Sequence, residues 1–331
     1  MVLTQNQPIR ARVRQSATVR EEGGLSTLTF FAMGTRCRIL FAGLAAGQTR
    51  AFLDRLLDQV ADFEAKYSRF LDASLISLIN AAAGRHWVEV DEETDRIFAL
   101  CSDLHFFTRG AFDPTALPLI RLWNWKANPP VLPDEQTVRA ARELVGWNKV
   151  QRRRGAIFLP RPGMCLDLGG IGKEYAVDMA MTLAAQHCVE NVLVDFGQDI
   201  RARGKPPGRP AWHVGLENPR SPGSCWASVA VTDHAVATSG DYLRHFIHQG
   251  HRYGHIIDPR TGYPVDNDCR AVTVVAPTCT IAGILTTTAC VLGSKEGFHL
   301  INNYHGAAGA VVTETGNLIT PRFHEHLVQQ N

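Results

Sequence analysis

The stretch LDLGGIGKEYAVD, residues 166–178, decides how this chain is read. An apolar run closes on Leu168, three glycines follow (Gly169, Gly170 and Gly172), and from Lys173 the apolar spacing becomes that of a helix. GMCLDL before the bend reads as a buried strand, GKEYAVDMAMTLAAQHC as a helix, and NVLVDF after it as a second buried strand. Strand, helix and strand in that order predict a βαβ-like crossover with the glycine cluster at its first corner. A helix N-terminus carries unpaired N–H groups and a partial positive charge, and glycines let a ligand approach the backbone. The corner therefore suits a pyrophosphate. A tight bend whose glycines serve packing alone is the competing account.

The corner fits neither standard nucleotide loop. A G-x-G-x-x-G pattern is nearly met by Gly170 and Gly172, but the third position is Tyr175, where close helix–strand packing demands a small residue. That argues against a nicotinamide oxidoreductase. A Walker A loop fails because Gly172-Lys173 is followed by Glu174 instead of Ser or Thr.

Outward from the corner, STLTFF and RCRILF read as strands joined by AMGT, with Gly34 in the turn. Leu53, Leu56, Leu57, Val60, Phe63 and Tyr67 mark one face of a helix over 49–67. KANPPVLPDE (126–135) reads as a surface connection, and Asp134 caps a helix over 135–145. Later, LRHFIHQGHRYGHIID forms a hairpin turning at Gln249-Gly250, TIAGILTTTACVLG (280–293) a buried helix, and residues 307–321 a last hairpin. The expectation is an α+β fold with mostly antiparallel sheets and that one crossover. Residues 1–24 are expected to be a flexible arm, and RARVR (10–14) within it a solvated turn.

Composition narrows the function. The 331 residues are 45% hydrophobic and 20% charged, and 34 basic against 32 acidic side chains leave a net charge of +2. No electrostatic footprint for nucleic acid follows from that balance. No apolar stretch approaches the roughly 18 residues of a membrane span or makes a signal peptide, so the expected location is the cytoplasm. None of the eight cysteines sits at a CxxC spacing, and they read as reduced thiols.

Two further segments carry chemistry. In YGHIIDPRTGYPV (253–265), His255 ends a strand and Asp258-Pro259 with Thr261-Gly262 make a tight turn, a setting for a base acting on a hydroxyl or for a structural histidine. His245 and His248 fall on opposite faces of their strand, which argues against a metal cluster there. In ATSGDYLRHF (237–246), Ser239, Gly240 and Asp241 form a turn able to grip a polar ligand edge.

Taken in order, AMGT (32–35), YSRF…S..S.IN (67–80), GAFDPT (110–115), LDLGGIGKEYAVD, VDFGQDIRARG (194–204), ATSGDY (237–242), HIIDPRTG (255–262) and LTTTACVLG (285–293) resemble the flavin transferases of the ApbE type. These enzymes split FAD and attach FMN to a protein threonine or serine. The resemblance implies a two-lobed fold over 25–331 with a flavin cleft between the lobes. It places Met33, Gly34, Thr35, Phe70, Asn80, Ala111, Phe112, Asp113, Asp167, Gly169, Gly170, Lys173, Ser239, Gly240, Asp241, Ile256 and Asp258 around the cofactor. It makes His255 the residue assisting transfer, beside FAD, and Mg²⁺ the ion that neutralises the pyrophosphate.

The family's metal site has an aspartate where this chain has Gly283, leaving Thr287 and a backbone carbonyl near Gly170 as the implied metal set. Two other departures are Glu174 and Gln198, each where a glycine is usual, and Glu174 is read as facing solvent. The missing carboxylate leaves open an FAD- or FMN-binding relative that does not turn over. It also predicts that Gly283→Asp raises metal-dependent FAD cleavage.

Overall fold

The computed structural model describes residues 6–124, 126–127, 130–242 and 244–328. Its centre is a nine-stranded sheet whose spatial order follows the chain: Thr18–Glu22, Leu25–Ala32, Thr35–Ala42, Asn191–Phe196, Asp199–Arg203, Ala235–Gly240, Cys269–Ala276, Ala308–Thr313 and Asn317–Ile319. Every neighbouring pair is antiparallel. Three of the connections are two-residue turns, Gly23-Gly24, Met33-Gly34 and Gly197-Gln198, and all six residues have positive φ. Such turns match the twist of the flanking strands. Gln198, at φ 75°, takes a conformation that glycine adopts without strain.

Helices Ala46–Tyr67, Gly172–Gln186 and Cys279–Leu292 cover one face of the sheet, where Phe30, Ile39, Phe52, Leu56, Phe196 and Leu285 are fully buried in one core. Leu193, Ile200, Trp212, Val231, Val275 and Phe323 form a second core on the opposite face. Both faces of the strand Asn191–Phe196 are therefore buried, with Val192, Val194 and Phe196 in the first core and Leu193 in the second. That explains its apolar run Val192, Leu193 and Val194. A smaller centre of Leu119, Trp123, Val138, Val145 and Ile257 gathers helices Leu117–Leu122 and Glu135–Arg142.

Two expectations are corrected. The βαβ-like crossover is absent: residues 164–168 belong to no strand. The Asn80 side chain takes the place of a neighbouring strand. Its amide donates to the Leu166 carbonyl (3.0 Å) and its Oδ1 accepts from the Leu166 N–H (2.6 Å), while the Asp167 N–H donates to the Pro114 carbonyl (2.8 Å). A buried apolar run reads alike whether its backbone is satisfied by a ladder or by a side chain. Asn80→Leu is expected to orphan both Leu166 groups and to lower stability by about 2–4 kcal/mol, measured as a lower urea midpoint. A midpoint unchanged from wild type would show that water replaces the amide.

The arm is also corrected where it is described. Gln7–Gln15 form a helix with Val13 fully buried, and Thr18–Glu22 is the first strand of the sheet. RARVR is no solvated turn. Arg10 pairs with Asp62, Arg12 with Glu64 (2.5 Å), and Arg14 with Asp54 (2.7 Å) and Asp58 (2.9 Å), all on the helix Ala46–Tyr67. The acidic partners lie some forty to fifty residues away in sequence, beyond a local reading. Among the described residues no helix is long and apolar enough to cross a membrane.

Candidate active site

The glycine corner is held from three sides. Asp167 accepts the Gly169 N–H (3.0 Å) and pairs with Arg69 (3.0 Å), whose guanidinium lies 4.1 Å from the ring centre of Phe70. Phe70 itself is 77% exposed, an aromatic face left open to solvent. Phe112 packs on Gly170, where an added methyl would stand 3.3 Å from Phe112 Cε2. The loop carrying Ala111 and Phe112 is fixed by buried Asp113, which accepts from the Thr115 N–H (2.8 Å) and hydroxyl (2.6 Å) and from the Trp147 N–H (2.9 Å). Asp113 and Asn80 are thus engaged with the protein's own backbone, and both position the loops around the corner.

The corner amides are partly committed as well. Gly169 donates to Asp167, and Ile171 and Gly172 both donate to the Leu168 carbonyl. Lys173 forms an ion pair with buried Asp199 at the start of the strand Asp199–Arg203, which offsets its charge. Asp199 follows the Gly197-Gln198 turn, and Gly197 is packed against Thr35, so this ion pair joins the corner to the Met33-Gly34 turn. There the Met33 N–H donates to Glu64 (2.9 Å), and the position of a side chain at Gly34 opens onto empty space.

The expectation that Glu174 faces solvent is corrected. It is 8% exposed, and among the described residues its Oε2 has no hydrogen-bond partner. A methyl built on Gly283 would lie 2.6 Å from Glu174 Cγ and 2.9 Å from its Oε1, so the carboxyl group fills the space beside that glycine. Burial pushes the Glu174 carboxyl above its ordinary range, and Lys173 opposes that shift. One turn beyond Gly283 on the same helix stands Thr287, whose hydroxyl lies 3.1 Å from Ser239 Oγ. Ser239 is also 2.8 Å from Thr286 Oγ1, and Thr286 donates to the Gly283 carbonyl (2.9 Å). A side chain added at Gly283 would meet Glu174 first, which counts against the expected benefit of Gly283→Asp.

Asp241 pairs with Arg252 (2.7 Å), and its carboxylate lies where a side chain on Gly254 would stand. Gly240 is closed in by the Arg270 carbonyl. Asp241, Ile256 and Cys290 line one small void. Asp258 accepts from the Arg260 N–H (2.9 Å), and its carbonyl accepts from Gly262 (2.8 Å), closing the turn after His255. His255 donates its backbone N–H to the Arg244 carbonyl (3.0 Å), while its ring Nδ1 is buried without a partner among the described residues. Burial, reinforced by the Arg244 charge, lowers the His255 pKa to about 4. The ring is therefore neutral at physiological pH and able to accept a proton.

Sequence reading missed Asp178. From the helix Gly172–Gln186 it accepts the N–H groups of Cys279 and Thr280 (both 2.9 Å) and the Thr280 hydroxyl (2.7 Å), and it pairs with Arg201 (2.7 Å). The helix Cys279–Leu292 has no acidic residue in its own first turn, so Asp178 supplies that charge from its neighbour. Its only local signal was its place one turn after Glu174. Among the described residues no group of three or more His, Cys, Asp or Glu is arranged to hold a metal.

A family model described as the ApbE family matches residues 33–312. An FAD:protein FMN transferase of Treponema pallidum is 32% identical over 317 residues, covering 90% of this chain and 84% of that protein. One of Vibrio cholerae is 31% identical, covering 80% of each. Among solved structures, the ApbE protein of Thermotoga maritima superposes with a TM-score of 0.82 at 31% identity, over 92% of this chain and 99% of its own. The flavin transferase ApbE of Vibrio cholerae gives 0.81 at 26%, over 94% and 100%.

Proposed function

This chain belongs to the ApbE family, and from that premise we propose that it is an FAD:protein FMN transferase acting on a threonine or serine hydroxyl of a target protein. The observation that carries the reading is the agreement of curated transferases with this chain over most of its length. In the reaction the acceptor oxygen attacks the phosphorus on the FMN side of FAD, the bond to the bridging oxygen breaks, and AMP leaves. The hydroxyl proton passes to the neutral ring of His255. Phe70, Met33, Ile256 and the Ala111–Phe112 loop form the flavin side of the cleft. Gly169, Gly170 and Lys173 lie on the phosphate side, and Ser239, Gly240, Asp241 and Asp258 shape the far wall.

The oxygen donors that would hold Mg²⁺ are the Thr287 hydroxyl, the Gly170 carbonyl and the buried Glu174 Oε2, which has no hydrogen-bond partner among the described residues. Bound there, the ion would supply charge neutralisation on the pyrophosphate. AMP release from FAD is expected to require added Mg²⁺ and to stop with EDTA. FAD held intact and stoichiometric under those conditions would favour a flavin-binding relative without turnover.

The pH dependence follows from His255. With its pKa lowered to about 4, the base is present through the usual histidine range and is lost only as pH falls towards that value. kcat/KM for transfer is expected to stay flat from about pH 8 to pH 6 with respect to this group. An acid limb centred at the ordinary histidine value would contradict the assignment. We place the protein in the cytoplasm, a reading supported by eight cysteines present as free thiols.

A further inference from the structure

We propose that the Glu174 carboxylate is the charged ligand of the divalent cation, so that the acid of this site is carried on the helix Gly172–Gln186 and Gly283 is its necessary counterpart. The inference rests on the transferase reading for what the cation does, but its geometry stands apart from that reading. Buried carboxylates are paired, hydrogen-bonded or bound to metal. Glu174 is 8% exposed, and its Oε2 has no partner among the described residues. Its neighbours explain why the space exists. Gly283 is buried and has no side chain, and anything larger than hydrogen there would meet Glu174 Cγ and Oε1 at 2.6 and 2.9 Å.

The same helix face carries the Thr287 hydroxyl, and Gly170 stands four residues before Glu174 at the mouth of the corner. One carboxylate with neutral oxygens is a donor set for a hard cation such as Mg²⁺ or Mn²⁺, not for zinc. The two helices are locked in register by Asp178, which binds the first amides of Cys279–Leu292 from the turn after Glu174. A carboxylate can thus occupy the site from either helix but not from both. Glu174 and Gly283 form an exclusive pair.

The test is Mn²⁺ binding to the whole chain, followed by electron paramagnetic resonance of the free ion with FAD present, which reads the site independently of turnover. Glu174→Gln keeps the shape and removes the charge. It is expected to weaken Mn²⁺ by about tenfold or more while thermal melting and flavin-fluorescence titration with FAD stay at wild-type values. Gly283→Asp alone is expected to bind Mn²⁺ no better than wild type and to melt lower. Glu174→Gly with Gly283→Asp is expected to recover the affinity that Glu174→Gly loses. Wild-type protein that does not bind Mn²⁺, Glu174→Gln that binds it as wild type does, or a double variant no better than Glu174→Gly would each overturn the inference. Mn²⁺ binding that follows this pattern with no AMP release from FAD would leave the ligand assignment standing and remove the transferase reading instead.

Discussion

His255→Ala is expected to slow FMN transfer by about 10²–10⁴-fold, the usual contribution of a positioned general base, while FAD binding persists. Burial and the Arg244 charge keep the ring neutral, and among the described residues its Nδ1 has no partner. A structural histidine would be held by hydrogen bonds from its ring; here the backbone makes the contact, through the His255 N–H to Arg244. The neighbouring turn is closed by Asp258 and Gly262 independently of the imidazole, so removing the ring leaves the turn intact. Single-turnover transfer and a flavin-fluorescence titration separate the two roles. A rate within about tenfold of wild type, or a loss of FAD binding that accounts for the rate, would assign His255 to structure.

Asp178→Ala is expected to lower stability by about 2–4 kcal/mol, since it removes three hydrogen bonds and one side of a partly buried ion pair. It would orphan the Cys279 and Thr280 amides, leave Arg201 without its partner, and remove the charge at the start of the helix Cys279–Leu292. Because that helix carries both Gly283 and Thr287, loosening it should also weaken the cation site. Urea unfolding gives the measurement, with Asp178→Asn as the gentler variant that keeps one acceptor. A loss below about 1 kcal/mol for Asp178→Ala would mean that water caps this helix equally well.

Much of the architecture could be read locally. Gly34 lies in the two-residue turn between strands Leu25–Ala32 and Thr35–Ala42, and Gln249-Gly250 closes a hairpin between His245–His248 and His251–Gly254. The helix from Gly172 begins where its periodicity begins. What failed was reading where backbone groups find their partners. Residues 164–168 look like a strand because they are buried and apolar, yet a side chain eighty-six residues away in sequence completes their hydrogen bonding. RARVR looks solvated because its acids lie on a distant helix.

The site divides in the same way. Its members could be named from motif order, but their duties depend on neighbours. Asp113 and Asn80 spend their polar atoms on loops, Lys173 is balanced by Asp199, and Glu174 turns inward because Gly283 leaves it room. A single glutamate beside a glycine cluster carries no sign of which helix will pack against it.

The most direct test of the account is covalent. Purified protein, FAD and Mg²⁺ are incubated with an extract of the native cell as the source of acceptor. In-gel flavin fluorescence, peptide mass and released AMP are then followed together. The account predicts FMN on a threonine or serine of an acceptor polypeptide, AMP in equal amount, and both products formed about 10²–10⁴-fold more slowly with His255→Ala. AMP and FMN both left free in solution, or FAD recovered intact with no labelled polypeptide, would contradict it.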